Sequence, residues 1–158
     1  MGFITDNMLG KLAKYLRMMG YDTIYPRNFG LSELKRLCEN DGYIFLTRSS
    51  RMLEILDERF ICFIRSQHFS EQLLQVITEF KLELNMDRCF SRCLICNTQL
   101  EDVSINDIES DVPGKVISTQ SQFKVCKDCH RGYWNGGHTA RMLDKFNTII
   151  SRGMEEDI

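Results

Sequence analysis

Two cysteine pairs in the second half of the chain constrain its folding more than any other feature. Two residues separate Cys93 from Cys96, two separate Cys126 from Cys129, and 29 residues lie between the pairs. This spacing lets both thiolates of a pair approach one ion, and two such pairs complete a tetrahedral set of sulfur ligands. We therefore predict that the four cysteines bind one structural Zn²⁺ ion in a small ribbon-like module.

Two alternatives to the zinc site are core cysteines and a redox-active pair. Two pairs in one short segment favour the metal, and four thiolates leave no open position for a reacting water, so the predicted role is structural. The chain has seven cysteines. Cys38 and Cys62 lie in apolar periodic segments and are predicted to be ordinary core residues.

The first eighty residues alternate between short apolar segments and segments of helical periodicity. The apolar segments are residues 2–5, 23–25, 43–47 and 60–64; the helical ones are residues 8–19, 31–38, 52–56 and 70–80. Repeated βα units of this kind predict an α/β fold with a mostly parallel sheet flanked by helices. In such sheets the chemistry lies beyond the carboxyl ends of the strands, where Asp6 follows the first apolar segment.

The composition changes after Phe80, which indicates a second module. We predict an α/β domain over residues 1–84, a zinc-ribbon module with a C-terminal helix over residues 85–150, and a frayed tail over residues 151–158. The polar residues 81–88 have the composition of a linker.

The net charge argues against a protein that binds polyanions with its whole surface, and the hydropathy argues against a membrane-spanning protein. The 158 residues carry a formal net charge of −2, and no apolar run is long enough to span a bilayer. The N-terminus lacks the features of a signal peptide, so we expect a cytoplasmic protein with no membrane contact. Residues 1–52 contain eight Lys and Arg against five Asp and Glu, which allows a basic face on the first half.

Three segments together resemble a known family. They are residues 3–23 (FITDNMLGKLAKYLRMMGYDT), Leu46-Thr47-Arg48, and the two cysteine pairs with Asn97 and Tyr133-Trp134. In combination they resemble the mutator-seven C-terminal ribonuclease family, in which a PIN-like nuclease fold precedes a zinc ribbon. The resemblance implies a PIN-like (Rossmann-like) sheet that acts on RNA with Mg²⁺ or Mn²⁺ held by acidic residues.

The resemblance carries over to the acidic site only in part. Asp6 matches the family's first acid, but Ser49 stands where an acid follows Leu-Thr-Arg, and Glu33 is the nearest substitute at the start of the second helix. The candidate catalytic residues are therefore Asp6, Glu33 and Ser49. Hard divalent cations require several anionic oxygens, so this acidic site is depleted. From spacing alone, a helix N-cap is the favoured interpretation of Asp6.

Basic residues near the same edge predict an RNA-binding surface. The candidates are Lys11, Lys14, Arg17, Arg48 and Arg51, of which the first three are predicted to lie on the polar side of the first helix. Three functions remain open at this point. They are a metal-dependent endoribonuclease, an inactive RNA-binding protein, and an adaptor that contacts a protein partner.

Overall fold

Four short strands form one parallel sheet in the computed structural model. They are β1 (Gly2–Thr5), β2 (Asp22–Ile24), β3 (Tyr43–Thr47) and β4 (Ile61–Phe63). The strand order is β2-β1-β3-β4, and each neighbouring pair is parallel. The predicted α/β class with a parallel sheet is confirmed. The central strands β1 and β3 have apolar side chains on both faces because helices cover both sides of a parallel sheet.

The structure describes residues 1–26, 30–108 and 112–156, without the side chains of residues 154–156. The chain divides into two compact units, Met1–Asn97 and Thr98–Ile158. The parallel sheet belongs to the first unit. That the chain consists of two domains with a boundary between residues 84 and 85 stays a prediction.

Three helices connect or follow the strands: α1 (Gly10–Met18), α2 (Leu31–Asp41) and α3 (Phe69–Phe80). The helix predicted over residues 52–56 is wrong, because the connection from β3 to β4 forms the 3₁₀ turns Ser50–Glu54 and Glu58–Phe60. The Asp57 carboxylate accepts the Arg59 N–H and so starts the second turn in place of a longer helix. The α3 helix begins at Phe69, one residue before the segment of helical periodicity, residues 70–80, begins.

The two faces of the sheet are covered by different helices. On one face, Ile4 and Phe45 pack against Leu34, Leu37 and Cys38 of α2. On the other face, the Phe3 ring lies 5.3 Å from the Phe80 ring of α3, and Leu12 and Leu16 of α1 are fully buried. Burial of each large apolar side chain contributes roughly 1.5–3 kcal/mol, so these two layers stabilise the unit. The carboxyl ends of the strands remain at an edge between the layers.

The polar segment after α3 is held to the first unit, although its composition predicts a linker. The Tyr21 hydroxyl accepts the Glu83 N–H at 3.1 Å, and the Phe90 N–H donates to the Met18 carbonyl at 2.8 Å. The Arg88 guanidinium lies 5.1 Å from the centre of the Tyr21 ring. Polar side chains and backbone groups therefore fix this segment together with the buried side chain of Leu82.

The second unit contains a small antiparallel sheet. Its strands β5 (Glu101–Val103), β6 (Phe123–Val125) and β7 (Gly132–Trp134) pair in that order. Two helical turns, α4 (Ile105–Ile108) and α5 (Gly114–Ile117), lie between β5 and β6. Trp134 packs against a core of Ile108, Val112 and Phe123. The packing role of Trp134 explains its position beside the second cysteine pair.

The long helix α6 (Gly137–Glu156) ends the described chain. It buries Met142, Phe146 and Ile149, three or four residues apart, as an amphipathic helix does. Residues 151–156, where the sequence predicts a frayed tail, belong to this helix, and residues 157–158 lie outside the described residues. Within the described part of the chain, none of the helices combines the length and the apolar character of a membrane span.

We predict that Gly20→Ala destabilises the protein more than Gly42→Ala. Both glycines have positive φ, +87° and +70°, so each alanine pays a conformational cost of roughly 1–2 kcal/mol. Only at Gly20 does an added Cβ lie 2.5 Å from the Arg88 carbonyl oxygen, whereas nothing lies within 4 Å at Gly42. Urea denaturation measures the difference, expected at about 1 kcal/mol or more. Equal losses in the two variants would contradict the close packing at Arg88.

Candidate functional site

Asp6 joins the exits of the two central strands. Its backbone N–H donates to the Leu46 carbonyl at 3.0 Å. Its carboxylate Oδ2 accepts the Thr47 hydroxyl at 2.8 Å and the Arg48 N–H at 2.7 Å, and Oδ1 accepts the Met8 N–H at 2.9 Å. Asp6 therefore fixes the end of β1 against the end of β3.

These contacts decide between the readings of Asp6 that the sequence leaves open. The N-cap of α1 is Leu9, three residues after Asp6, so Asp6 does not cap this helix. A carboxylate offers about four lone-pair positions, and three of them on Asp6 already accept protein donors. Hydrogen bonds to a charged acceptor are about twice as strong as neutral ones. A metal ion at Asp6 would compete with these donors for the same oxygens.

Ser49 is placed next to Asp6 through Thr47. The Ser49 backbone N–H donates to the Thr47 hydroxyl oxygen at 3.0 Å, while that hydroxyl donates to Asp6. Thr47 is fully buried. Thr47 is not among the predicted site residues, although it stands inside the Leu46-Thr47-Arg48 motif.

Glu33 takes part in a surface ion pair on its own helix. The Arg36 guanidinium lies 2.9 Å from the Glu33 carboxylate and 3.0 Å from that of Asp41. The hydrogen bond from Arg36 lowers the pKa of Glu33. Among the residues that the structure describes, no group of three His, Cys, Asp or Glu side chains close enough to share an ion includes Asp6 or Glu33.

Of the predicted basic residues, Arg48 and Arg51 follow β3 and Lys11 and Lys14 lie on α1. Lys11 and Arg51 are exposed, and Lys14 and Arg48 are partly buried. The Lys11 ammonium lies 4.6 Å above the Phe69 ring. The Arg48 Nε is buried without a hydrogen-bond partner in the described part of the chain.

Arg17 corrects the prediction for the polar side of α1. Its side chain is 5% exposed, so the expectation that it lies on the polar surface is wrong. Nε donates to the Thr23 carbonyl at 2.8 Å, and Nη1 donates to the carbonyls of Leu94 and Ile95 at 3.1 and 2.9 Å. Helical periodicity places Arg17 on the flank of α1, but it cannot tell that residues 94 and 95 cover this flank. We leave Arg17 out of the candidate RNA surface.

The four predicted metal ligands lie together. The Sγ atoms of Cys93, Cys96, Cys126 and Cys129 are all within 4.8 Å of one another. A tetrahedral site with metal–sulfur bonds of about 2.3 Å has sulfur–sulfur edges of about 3.8 Å, so the cluster has the dimensions of such a site. The four cysteines are thus positioned to hold a metal ion.

The two cysteine pairs share the same local turn, which supports this fit. The residue after each pair has positive φ, 70° at Asn97 and 57° at His130. The N–H of that residue donates to the carbonyl of the first cysteine, from Asn97 to Cys93 at 2.9 Å and from His130 to Cys126 at 2.8 Å. In the first pair, the Cys96 N–H also donates to the Cys93 Sγ at 3.2 Å. Backbone N–H groups directed at thiolate sulfurs are typical of metal-binding cysteine turns.

The remaining cysteines are separate from this cluster. Cys38 is fully buried and Cys62 is 7% exposed, which confirms their predicted core positions. Burial raises the pKa of the Cys38 thiol to about 11 and that of the Cys62 thiol to about 12. Thiols with such pKa values are inert at neutral pH.

Sequence comparison adds one relationship. The sequence model of a family described as the Mut7-C RNAse domain matches residues 1–146. No curated protein and no solved structure matches the chain at a significant level. The match covers the parallel sheet, both cysteine pairs and the first half of α6.

We predict that Asp6→Asn lowers the free energy of unfolding by about 1–3 kcal/mol. The amide NH₂ cannot accept a hydrogen bond, so at least one of the three donors loses its partner. Asp41→Asn is the matched control, because it removes only an exposed ion pair and should change stability by at most about 1 kcal/mol. Urea denaturation of both variants measures the effect. Wild-type stability in Asp6→Asn would show that the carboxylate is dispensable for the fold.

Proposed function

The chain belongs to the Mut7-C RNAse domain family, and from this membership we propose that it binds RNA at the carboxyl edge of β1 and β3 with little or no metal-dependent cleavage. A structural Zn²⁺ ion at the four cysteines completes the proposal. The protein is a ribonuclease-like domain in its family and fold. Of the two parts of a ribonuclease function, we propose that it retains RNA binding and has little or no cleavage activity.

The observation that carries the proposal is the hydrogen bonding of Asp6. Three protein donors occupy its carboxylate, and Ser49 contributes a backbone N–H to the same network. Glu33, the other candidate acid, is paired with Arg36. Mg²⁺ and Mn²⁺ bind through several anionic oxygens, and one carboxylate in a network of neutral groups is a weak site for them. This supports a depleted acidic site.

Positive charge supports retained RNA binding. Arg48 and Arg51 follow β3, and Lys11 and Lys14 lie on α1, which follows the Asp6 loop. Because β1 and β3 are parallel, their carboxyl ends meet at one edge of the sheet. Basic side chains at this edge provide phosphate contacts, which dominate the affinity for nucleic acids and do not require a catalytic metal.

Zinc is the metal that the cysteine cluster suits best. Four thiolates in a tetrahedral arrangement are the usual ligands of a structural Zn²⁺ ion. When bound, zinc supplies folding free energy to a segment too short to bury a sufficient core. All four ligands come from the protein, so a metal here serves structure and leaves no position for a reacting water.

The alternative function is metal-dependent RNA cleavage. The family description and the position of Asp6 at the end of β1 favour it. It requires Mg²⁺ or Mn²⁺ to displace protein donors from the Asp6 carboxylate. Glu33 and Ser49 are the further candidate catalytic residues. The third alternative, an adaptor that contacts a protein partner, has no requirement for RNA.

We predict that protein purified without chelators contains about one zinc ion per chain. Cys96→Ser should lose most of this zinc and at least about 2 kcal/mol of unfolding free energy, because a thiolate ligand is removed. Cys89→Ser is the control, since Cys89 is a partly buried cysteine outside the cluster. Mass spectrometry of the metal content and urea denaturation measure both effects. Metal-free wild-type protein would contradict the zinc role.

We predict that single-stranded RNA binds the full chain and that binding falls steeply with salt. Arg51→Ala should weaken it about threefold or more and reduce the slope of log affinity against log salt by about 0.7, the value for one lost contact with a single strand. Arg59→Ala is the control. Arg59 is also an exposed arginine on a 3₁₀ turn, but it precedes β4 and so lies toward the opposite edge of the parallel sheet. Fluorescence anisotropy at several salt concentrations measures both.

The same RNA separates the alternatives. Wild-type protein with Mg²⁺ or Mn²⁺ should leave the RNA intact, whereas Ser49→Asp, which restores an acid beside the Asp6 network, should raise Mn²⁺-dependent cleavage relative to Ser50→Asp. Cleavage by the wild type that requires the added ion would overturn the proposal in favour of the nuclease. No RNA retention at low salt would instead favour the adaptor.

A further inference from the structure

The outer edge of β2 is hydrogen-bonded to the first cysteine turn, residues 93–97. Thr23, the middle residue of β2, is fully buried. Its N–H donates to the Asn97 Oδ1 at 2.9 Å, and its carbonyl accepts the Arg17 Nε at 2.8 Å. β2 is an edge strand, and the backbone groups of an edge otherwise require water or another strand. Here two side chains take the place of a neighbouring strand.

Arg17 connects the edge strand to the interior of the cysteine turn. Its Nη1 donates to the carbonyls of Leu94 and Ile95, the two residues between Cys93 and Cys96. A buried guanidinium needs hydrogen-bond acceptors in compensation for lost water, and these carbonyls supply them. The conformation of the turn directs these carbonyls at Arg17, so a change in that conformation would remove the two hydrogen bonds.

Asn97 is the second connection. It has positive φ, and its own N–H closes the turn onto the Cys93 carbonyl. Its side-chain Nδ2 donates to the Asp22 carboxylate at 2.7 Å. The other Asp22 oxygen lies 3.4 Å from the Arg92 guanidinium, and Arg92 also donates to the Asn97 carbonyl at 2.9 Å. The residues that flank the cysteine pair thus hold both Asp22 and Thr23.

We propose that metal binding at the four cysteines and ordering of the β2 edge are coupled through Asn97 and Arg17. The inference rests on the proposed zinc role and does not depend on RNA binding or cleavage. Zinc fixes the turn of residues 93–97, and that turn presents the Asn97 amide and two carbonyls to the sheet. Coupling between two events is reciprocal, so loss of the contacts to β2 also weakens zinc binding.

Asn97→Gly tests the coupling with little disturbance of the turn. Glycine adopts positive φ without strain, so the variant removes only the side chain that holds Asp22 and Thr23. His130→Gly is the matched control. It makes the same change at the equivalent position of the second cysteine turn, where φ is also positive and the side chain is exposed. Neither variant alters a cysteine.

Competition with a chromogenic chelator measures the zinc affinity of both variants. The coupling predicts a loss of about fivefold or more in Asn97→Gly and less than about twofold in His130→Gly. Hydrogen exchange of the Thr23 amide provides the reciprocal measurement. In the wild type, zinc removal should speed this exchange about tenfold or more, because the Asn97 Oδ1 that accepts the Thr23 N–H is no longer held in place.

Three results are decisive. Equal zinc affinities in the two variants would overturn the coupling while leaving the zinc role intact. Thr23 protection that persists after zinc removal would overturn it as well. A wild-type protein that binds no zinc would contradict the proposed zinc role itself, so the two failures are distinguishable.

Discussion

The backbone of an edge strand must satisfy its outward hydrogen-bonding groups, and β2 does so with two side chains, one from α1 and one from the first cysteine turn. Thr23 finds an acceptor in Asn97 and a donor in Arg17, and both partners also belong to the surroundings of the first cysteine pair. The pair Cys93 and Cys96 is consequently part of the first compact unit. A parallel sheet of only four strands has a large share of edge, so the closure of β2 matters more here than in a wider sheet.

The exits of the central strands depend on a second polar network. Asp6 is at once the best candidate acid and the acceptor that joins β1 to β3. These two roles draw on the same oxygen atoms. A nuclease with several acids can use some for the metal and leave others to the fold, but the two partners expected near Asp6 are Ser49 and a Glu33 paired with Arg36. The structural role of Asp6 needs only the donors Met8, Thr47 and Arg48 and no acidic neighbour.

Binding and hydrolysis make different demands on the same edge. Hydrolysis needs anionic oxygens in a fixed arrangement around a cation, whereas phosphate binding needs positive charge at moderate distances. Substitution of one acid therefore weakens hydrolysis severely and leaves binding almost unchanged. Tyr25, one residue beyond β2, donates its hydroxyl to the Asn7 carbonyl at 2.9 Å and so steadies the loop that contains Asp6.

The sequence alone determined the features that depend on local spacing. The two cysteine pairs, the four strands and the alternation with α1, α2 and α3 all follow from residues close together in the chain, because a turn, a strand or a helix face repeats within a few positions. The tertiary structure decided where a side chain meets residues distant in sequence. The helical pattern could not show that residues 94 and 95 cover Arg17. The polar composition of residues 81–88 could not show their attachment to Tyr21. The position of Asp6 could not reveal Thr47 and Arg48 as its donors. In each case the deciding contact joins groups that only the folded chain brings together, and no local pattern encodes that meeting.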